Sequence, residues 1–150
     1  MALAVLPLLG ACAISTPFPR LKEVSGEWTD DQVVVVVTHI VVDSNQRFEF
    51  DQQTRRVMDS LPSHNGMLGY SARRQIFGDE AWTLSVWASE RDRAKFVNSV
   101  VHREAIAKSL PAVRSVELKR VTVTRKDVPT DWDQVLRLLA EPEGRRNYWE

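Results

Sequence analysis

The sequence predicts an α+β domain of βαββαβ order built on an antiparallel sheet, and three observations predict it. Residues 33–42 are an almost unbroken β-branched run, apolar on both faces. Helical and alternating apolar periods then follow in the order helix, strand, strand, helix, strand, with turn residues between them. Elements in that order make a ferredoxin-like domain, whose right-handed crossovers place both main helices on one face of a four-stranded sheet. At 150 residues, 43% of them hydrophobic and 27% charged, the chain is long and apolar enough to bury the core of one such domain.

Each element has its own signature. A strand apolar on both faces must be covered on both sides. In residues 46–61, Phe50, Thr54, Val57 and Leu61 recur as one helical stripe among charged neighbours, and Pro62 with Asn65-Gly66 ends it. Residues 67–77 alternate, with Leu68, Tyr70, Ala72 and Ile76 expected on one face and Ser71, Arg73 and Gln75 on the other. After the Gly78-Asp79 turn, Trp82, Leu84 and Val86 carry the inward phase of a second strand, completing a hairpin.

Ser89, with Asp92 three residues on, begins a helix with Phe96, Val97, Val100 and Val101 as its buried stripe. A last strand spans 113–124. Its apolar phase switches between Val116/Leu118 and Val121/Val123, which predicts a β-bulge near Lys119-Arg120. Pro129-Thr130-Asp131 then opens a short helix bearing Trp132, Val135, Leu136 and Leu139, and the charged tail 141–150 reads as loose. The expected layout is an apolar signal-like segment at 1–12, a tether at 13–32, the domain at 33–125, and a C-terminal helix and tail at 126–150. Two helices cover one sheet face only, so Val33, Val35 and Val37, or their neighbours in the run, would form a wet apolar patch. Pairing with a second copy, sheet to sheet, removes it, and the expectation is a homodimer closing a dimeric α/β barrel.

Charge and cysteine content narrow the partners. Twenty basic and 20 acidic residues give a formal net charge of zero, without the basic excess that nucleic-acid binding draws on. The single cysteine, Cys12, rules out an intrachain disulfide and a cysteine-built metal site. Residues 1–11 are uncharged and apolar, too few to span a bilayer but of signal-peptide length. Leu9-Gly10-Ala11-Cys12 resembles the lipobox of bacterial lipoproteins, which implies a lipid on Cys12 and a membrane-anchored place in the cell envelope. No Lys or Arg precedes the run. The alternative is an apolar tail with an incidental cysteine on a cytoplasmic protein.

The stretch Trp82-Thr-Leu-Ser-Val-Trp87-Ala-Ser-Glu-Arg-Asp-Arg-Ala-Lys-Phe96-Val-Asn98-Ser99-Val-Val-His102 resembles the hairpin-to-helix region of antibiotic biosynthesis monooxygenase-like (ABM) domains, specifically an uncharacterised branch. The resemblance covers roughly residues 33–125. It implies a dimeric α/β barrel and a superfamily holding oxygenases that act on quinol-like aromatics without metal or cofactor, haem-degrading enzymes, and domains with no demonstrated activity. Fold sharing does not assign the chemistry. Against the haem-degrading branch, Trp87, Asn98 and Ser99 match, but the axial position falls on Ile106, which cannot ligate iron. His102 lies one helical turn earlier. The strand-one asparagine of that branch aligns with His39.

These residues supply the candidate site. His39 interrupts the valine run and is the candidate base for deprotonating a phenolic substrate, or else a hydrogen-bonded core histidine. His102, the second catalytic candidate, faces solvent if the helix from Glu90 is continuous. A break at Asn98-Ser99 turns it inward with Ala105 and Ile106. Trp87, Tyr70 and Asn98 are the candidate substrate contacts, Trp87 as the wall for a flat ring. Trp82 reads as core, Arg73 and Arg74 as a solvated pair, and His64 as an exposed turn residue. No Gly-rich phosphate loop, zinc-spaced set or nucleophile elbow is present, so neither a cofactor nor a metal is expected. The leading expectation is a cofactor-independent monooxygenase acting on a small aromatic. Its rivals are a non-catalytic dimeric binding module on the envelope and, third, a haem-binding domain. A cavity lined by both His39 and Trp87 favours the first, and a filled core favours the second.

Overall fold

The computed structural model describes residues 12–18, 20–21, 31–143 and 145–147. The apolar run at 1–11, and with it Leu9-Gly10-Ala11, lies outside them. Strand β1 is Ala13–Ser15, β2 Gln32–Val42, β3 Met67–Gln75, β4 Glu80–Trp87, β5 Val113–Thr124 and β6 Arg145–Asn147. Helix α1 is Arg47–Ser60, α2 Glu90–Val97, α3 Val100–Ser109 and α4 Trp132–Ala140. The strands form one sheet in the order β1-β3-β4-β2-β5-β6, antiparallel throughout. Its middle four strands, β3-β4-β2-β5, have the ferredoxin-like order.

Strand β2 is central and buried on both faces, as its valine run requires. Val34 and Val36 face a cluster with Leu61, Met67, Trp87 and Phe96 beneath helices α1 to α3. Val33, Val35 and Val37 face the opposite side, where Val128 and the α4 residues Trp132, Val135 and Leu139 cover them. The expectation that a second copy covers these valines is therefore corrected. The amphipathic C-terminal helix does so within the same chain, so a homodimer would have to use another surface.

Four further expectations are corrected. The segment 13–32 is not all tether, because Ala13–Ser15 pairs with the β3 edge and Phe18 meets the Trp132 ring edge-on at 5.6 Å. The tail is not all loose, since Arg145–Asn147 pairs with β5. No bulge interrupts β5 at Lys119-Arg120, where pairing with β2 runs without a shift from Val123 to Ser115, and the irregularity falls at the Val113 end. The apolar phase switches without a bulge because Val116 and Leu118 share the face of Val34 and Val36, whereas Val121 and Val123 face the α4 side, where Lys119 holds the inward position beside Val37. Its side chain is 1% exposed, and its ammonium donates to the Glu141 carbonyl at 2.9 Å and to the Glu141 carboxylate at 3.2 Å. Finally, a bulge lies in β3 instead: the register shifts between Met67 and Gly69, which puts Leu68 in the α4-side core and Tyr70 on the opposite face.

The second helical region breaks where Asn98-Ser99 allows. The Ser89 hydroxyl caps α2 by accepting from the Asp92 amide, and the Ser99 hydroxyl caps α3 by accepting from the His102 amide. The break rotates Val100 out of the expected stripe into solvent.

Candidate functional site

A cleft of about 370 Å³ lies between α1 and the β1-β3-β4 side of the sheet. Its volume lies at the lower end of the range for small-molecule sites. Alternation in the strands builds the floor. Tyr70 and Ala72 of β3 face α1, and so do Ala81 and Thr83 of β4. The two alanines leave the space, Phe50 and Met58 of α1 form the opposing apolar wall, and Thr54 adds a hydroxyl. Five charged residues also line it, Asp51, Arg55, Asp59, Arg73 and Arg74, with the Arg74 guanidinium 3.7 Å from the Asp51 carboxylate. Ile14 to Thr16 complete the rim. The Thr16 hydroxyl and the Ala72 amide are 3.0 Å apart, and the buried Ser71 hydroxyl donates to the Thr16 carbonyl at 3.1 Å.

Of the site residues expected from sequence, only Tyr70 lines this cleft. His39 shares its strand parity with Val33, Val35 and Val37, so it lies on the α4 side of the sheet. There it stacks on Trp82 with ring centroids 5.1 Å apart. Its Nε2–H donates to Glu80 at 2.8 Å, and its Nδ1 lies 3.9 Å from Glu117. Arg73 covers the same indole at 5.8 Å. Trp87 lies on the other face, 1% exposed, stacked on Phe96 at 5.0 Å with its indole N–H donating to Ser85. The sheet thus separates His39 from Trp87, and the cavity that the two were to share does not form.

His102 is turned inward by the helix break. It meets Phe96 edge-on at 4.8 Å, with its Nδ1–H donating to the Val97 carbonyl at 3.1 Å. Burial holds its pKa below the ordinary value, reinforced by the nearby positive charge of Arg93 and by His64, while the bond to Val97 opposes the shift. Ala105 follows it inward but Ile106 does not. His64, expected in water, is half-buried with its ring edge-on to Phe96 at 5.0 Å. Asn98 sits at the end of α2, exposed, with its side-chain amide donating to the Ala94 carbonyl. The Cys12 thiol is free and exposed.

The residues do not fit haem. The axial position is the exposed Ile106, and His102 is packed on Phe96 with one ring nitrogen already committed. Among the described residues, no group of three His, Cys, Asp or Glu side chains is placed to hold a metal ion, and no helix is long and apolar enough to cross a membrane.

No protein-family model and no curated protein matches the chain. Solved structures do. A provisionally named monooxygenase from Lactobacillus acidophilus NCFM aligns with TM-score 0.56 at 18% identity, over 75% of this chain and 51% of that one. The chain thus spans about half the length of that protein. A provisionally named antibiotic biosynthesis monooxygenase from Bacteroides thetaiotaomicron aligns with TM-score 0.53 at 17% identity, over 57% of this chain and 84% of the other. Another, from Nitrosomonas europaea, aligns with TM-score 0.56 at 12% identity, over 66% and 94%. The chain has the ferredoxin-like α+β fold that these structures share. At such identities the likeness extends to the fold and no further.

Proposed function

We propose that this ABM-like domain binds a small phenolic or quinol-like aromatic in the cleft between α1 and β3, and that it serves as a binding module. One observation carries the reading. The cleft offers apolar walls from Phe50 and Met58, small floor residues at Ala72 and Ala81, and hydroxyls at Tyr70, Thr54 and Thr83, with no histidine among them. Such a lining matches a flat ring bearing hydroxyl groups. A cofactor-free oxygenase needs a group that deprotonates its substrate, and the candidate base His39 lies across the sheet.

Oxygenation is the second reading, favoured by the names of the structures that share the fold. Its proton acceptor would be sought at Asp51 or Asp59, the carboxylates in the cleft. Attachment to the cell envelope through Cys12 belongs to the same proposal and is tested by intact-mass analysis of protein from the membrane fraction.

The test is calorimetric titration with 1,4-naphthalenediol under anaerobic conditions, followed by oxygen uptake in air. Saturable binding is expected, lost in Ala72→Trp and in Thr54→Trp, each of which fills the cleft. Binding that survives both substitutions removes the cleft from the proposal. Oxygen uptake that scales with protein concentration replaces the binding module by the oxygenase.

A further inference from the structure

The chain enters β3 through a tight turn in which the Met67 amide donates to the His64 carbonyl at 3.2 Å and Gly66 takes a φ of 75°. Glycine fills that left-handed third position without strain, and Asn65-Gly66 is the tip of a type II turn. Asn65 is exposed. Neither its side chain nor the Gly66 amide makes a hydrogen bond among the described residues. The asparagines at 45 and 98 are held differently. After Asn45, the Gln46 amide donates to the Asp43 carbonyl at 3.0 Å. After Asn98, the Ser99 amide donates to the Phe96 carbonyl at 2.9 Å, and the Asn98 side chain is itself bonded to the Ala94 carbonyl.

We infer that Asn65 is a modification site, at which the chain converts itself to isoaspartate and aspartate and so loosens the start of α2. The Gly66 nitrogen, once hydroxide has taken its proton, attacks the side-chain carbonyl carbon of Asn65. The new C–N bond closes a five-membered succinimide, and the side-chain nitrogen leaves as ammonia after taking a proton from water. Water then opens the ring. Attack at the side-chain carbonyl gives aspartate, and attack at the main-chain carbonyl gives isoaspartate, whose backbone runs through the former side chain. Glycine leaves the attacking nitrogen unhindered, and an amide without a hydrogen bond has none to break. The turn is seated directly on α2. The Gly66 carbonyl accepts from the Ala88 amide at 2.7 Å, and a methyl group on Gly66 would come within 2.5 Å of an Asp92 carboxylate oxygen. His64, in the same turn, meets Phe96 of α2 edge-on. Isoaspartate lengthens the backbone by one carbon immediately before Gly66, which displaces these contacts. The inference is independent of what the cleft binds.

The experiment is incubation of the folded full chain at mildly alkaline pH, followed by tryptic mapping. Peptide 57–73 holds Asn65 as its only amide side chain, and peptide 96–103 holds Asn98 as its only one. The first should gain one mass unit at a rate proportional to hydroxide concentration, with isoaspartate the main product by electron-transfer fragmentation. The second should convert about tenfold more slowly or less, because two hydrogen bonds must break there first. Asn65→Gln should not gain mass, since its ring would have six members. The isoaspartate form, separated by ion exchange, should melt several degrees below the unmodified chain. Asn65→Asp, with the same charge and an unaltered backbone, should melt close to it. The inference falls if peptide 57–73 keeps its mass in the folded chain, or if peptide 96–103 converts as fast. It falls too if Asn65→Gln gains mass at the same rate, or if the isoaspartate form melts with the unmodified chain, which would detach the turn from α2.

Discussion

Val135 stands at the centre of α4, 0% exposed, against the Val33, Val35 and Val37 face of the sheet. Val135→Ala removes two buried carbon groups, about 1.6 kcal/mol of transfer free energy at roughly 0.8 kcal/mol each. The cavity left behind adds about 1 kcal/mol where the surroundings do not collapse. The expected loss is about 2–3 kcal/mol, or about 10 °C in melting temperature for a domain of this size. Urea unfolding followed by tryptophan fluorescence reads it directly, because Trp82 and Trp132 lie in the same cluster. Val100→Ala, at an exposed position on α3, is the control and should change stability by less than about 0.5 kcal/mol. If Val135→Ala is equally silent, α4 does not cover the sheet in solution, and a second copy of the chain regains its claim to that face.

Other outcomes follow from the same geometry. Lys119→Met should be neutral or stabilising by about 1 kcal/mol in urea unfolding, since an apolar side chain of similar length removes a buried charge whose partner Glu141 is largely in water; a loss of 3 kcal/mol would contradict this. Ser99→Ala should cost about 1 kcal/mol by removing the cap that accepts from the His102 amide, and equal stability would mean that the break does not depend on it. Because the folded-state pKa of His102 lies below the unfolded value of 6.5, the unfolded chain binds more protons, so stability should fall as pH drops below about 6.5. His102→Gln should flatten that slope between pH 7 and 5, and an unchanged slope assigns it to other groups. His39→Ala should leave naphthalenediol affinity within twofold, because the ring lies across the sheet from the cleft; a tenfold loss would argue that the site is on the α4 side.

The central sheet was readable because its determinants are local. Nine β-branched residues among the ten at 33–42 leave little but a doubly buried strand, and Asn98-Ser99 names the place where a helix can stop and restart. What escaped depends on partners distant in sequence. Ala13–Ser15 and Arg145–Asn147 are each three residues long, too short to carry a period, and are strands only because the edges of β3 and β5 accept them. The α4 stripe was visible but its docking face was not. The β3 bulge reversed Leu68 relative to Tyr70, and Gly69, with no side chain to mark a phase, was its only local sign. His39 had the parity of Val33, Val35 and Val37 from the outset; what placed Trp87 on the opposite face was its pairing with Val34. The cleft residues Phe50, Thr54, Met58, Ala72 and Thr83 gave no chemical signal, since a cavity between small side chains is a property of packing.

The pairing of β1 with β3 changes the leverage that Cys12 has on the domain. Twenty residues of free linker would let the domain wander roughly 25 Å from its attachment point. With Ile14 and Ser15 already locked to Arg74 and Arg73, only Ala13 lies between Cys12 and the rim of the cleft, a reach of about 7 Å at full extension. A group joined to that sulfur would lie at the mouth of the cleft, and its chemistry would set what the opening can meet.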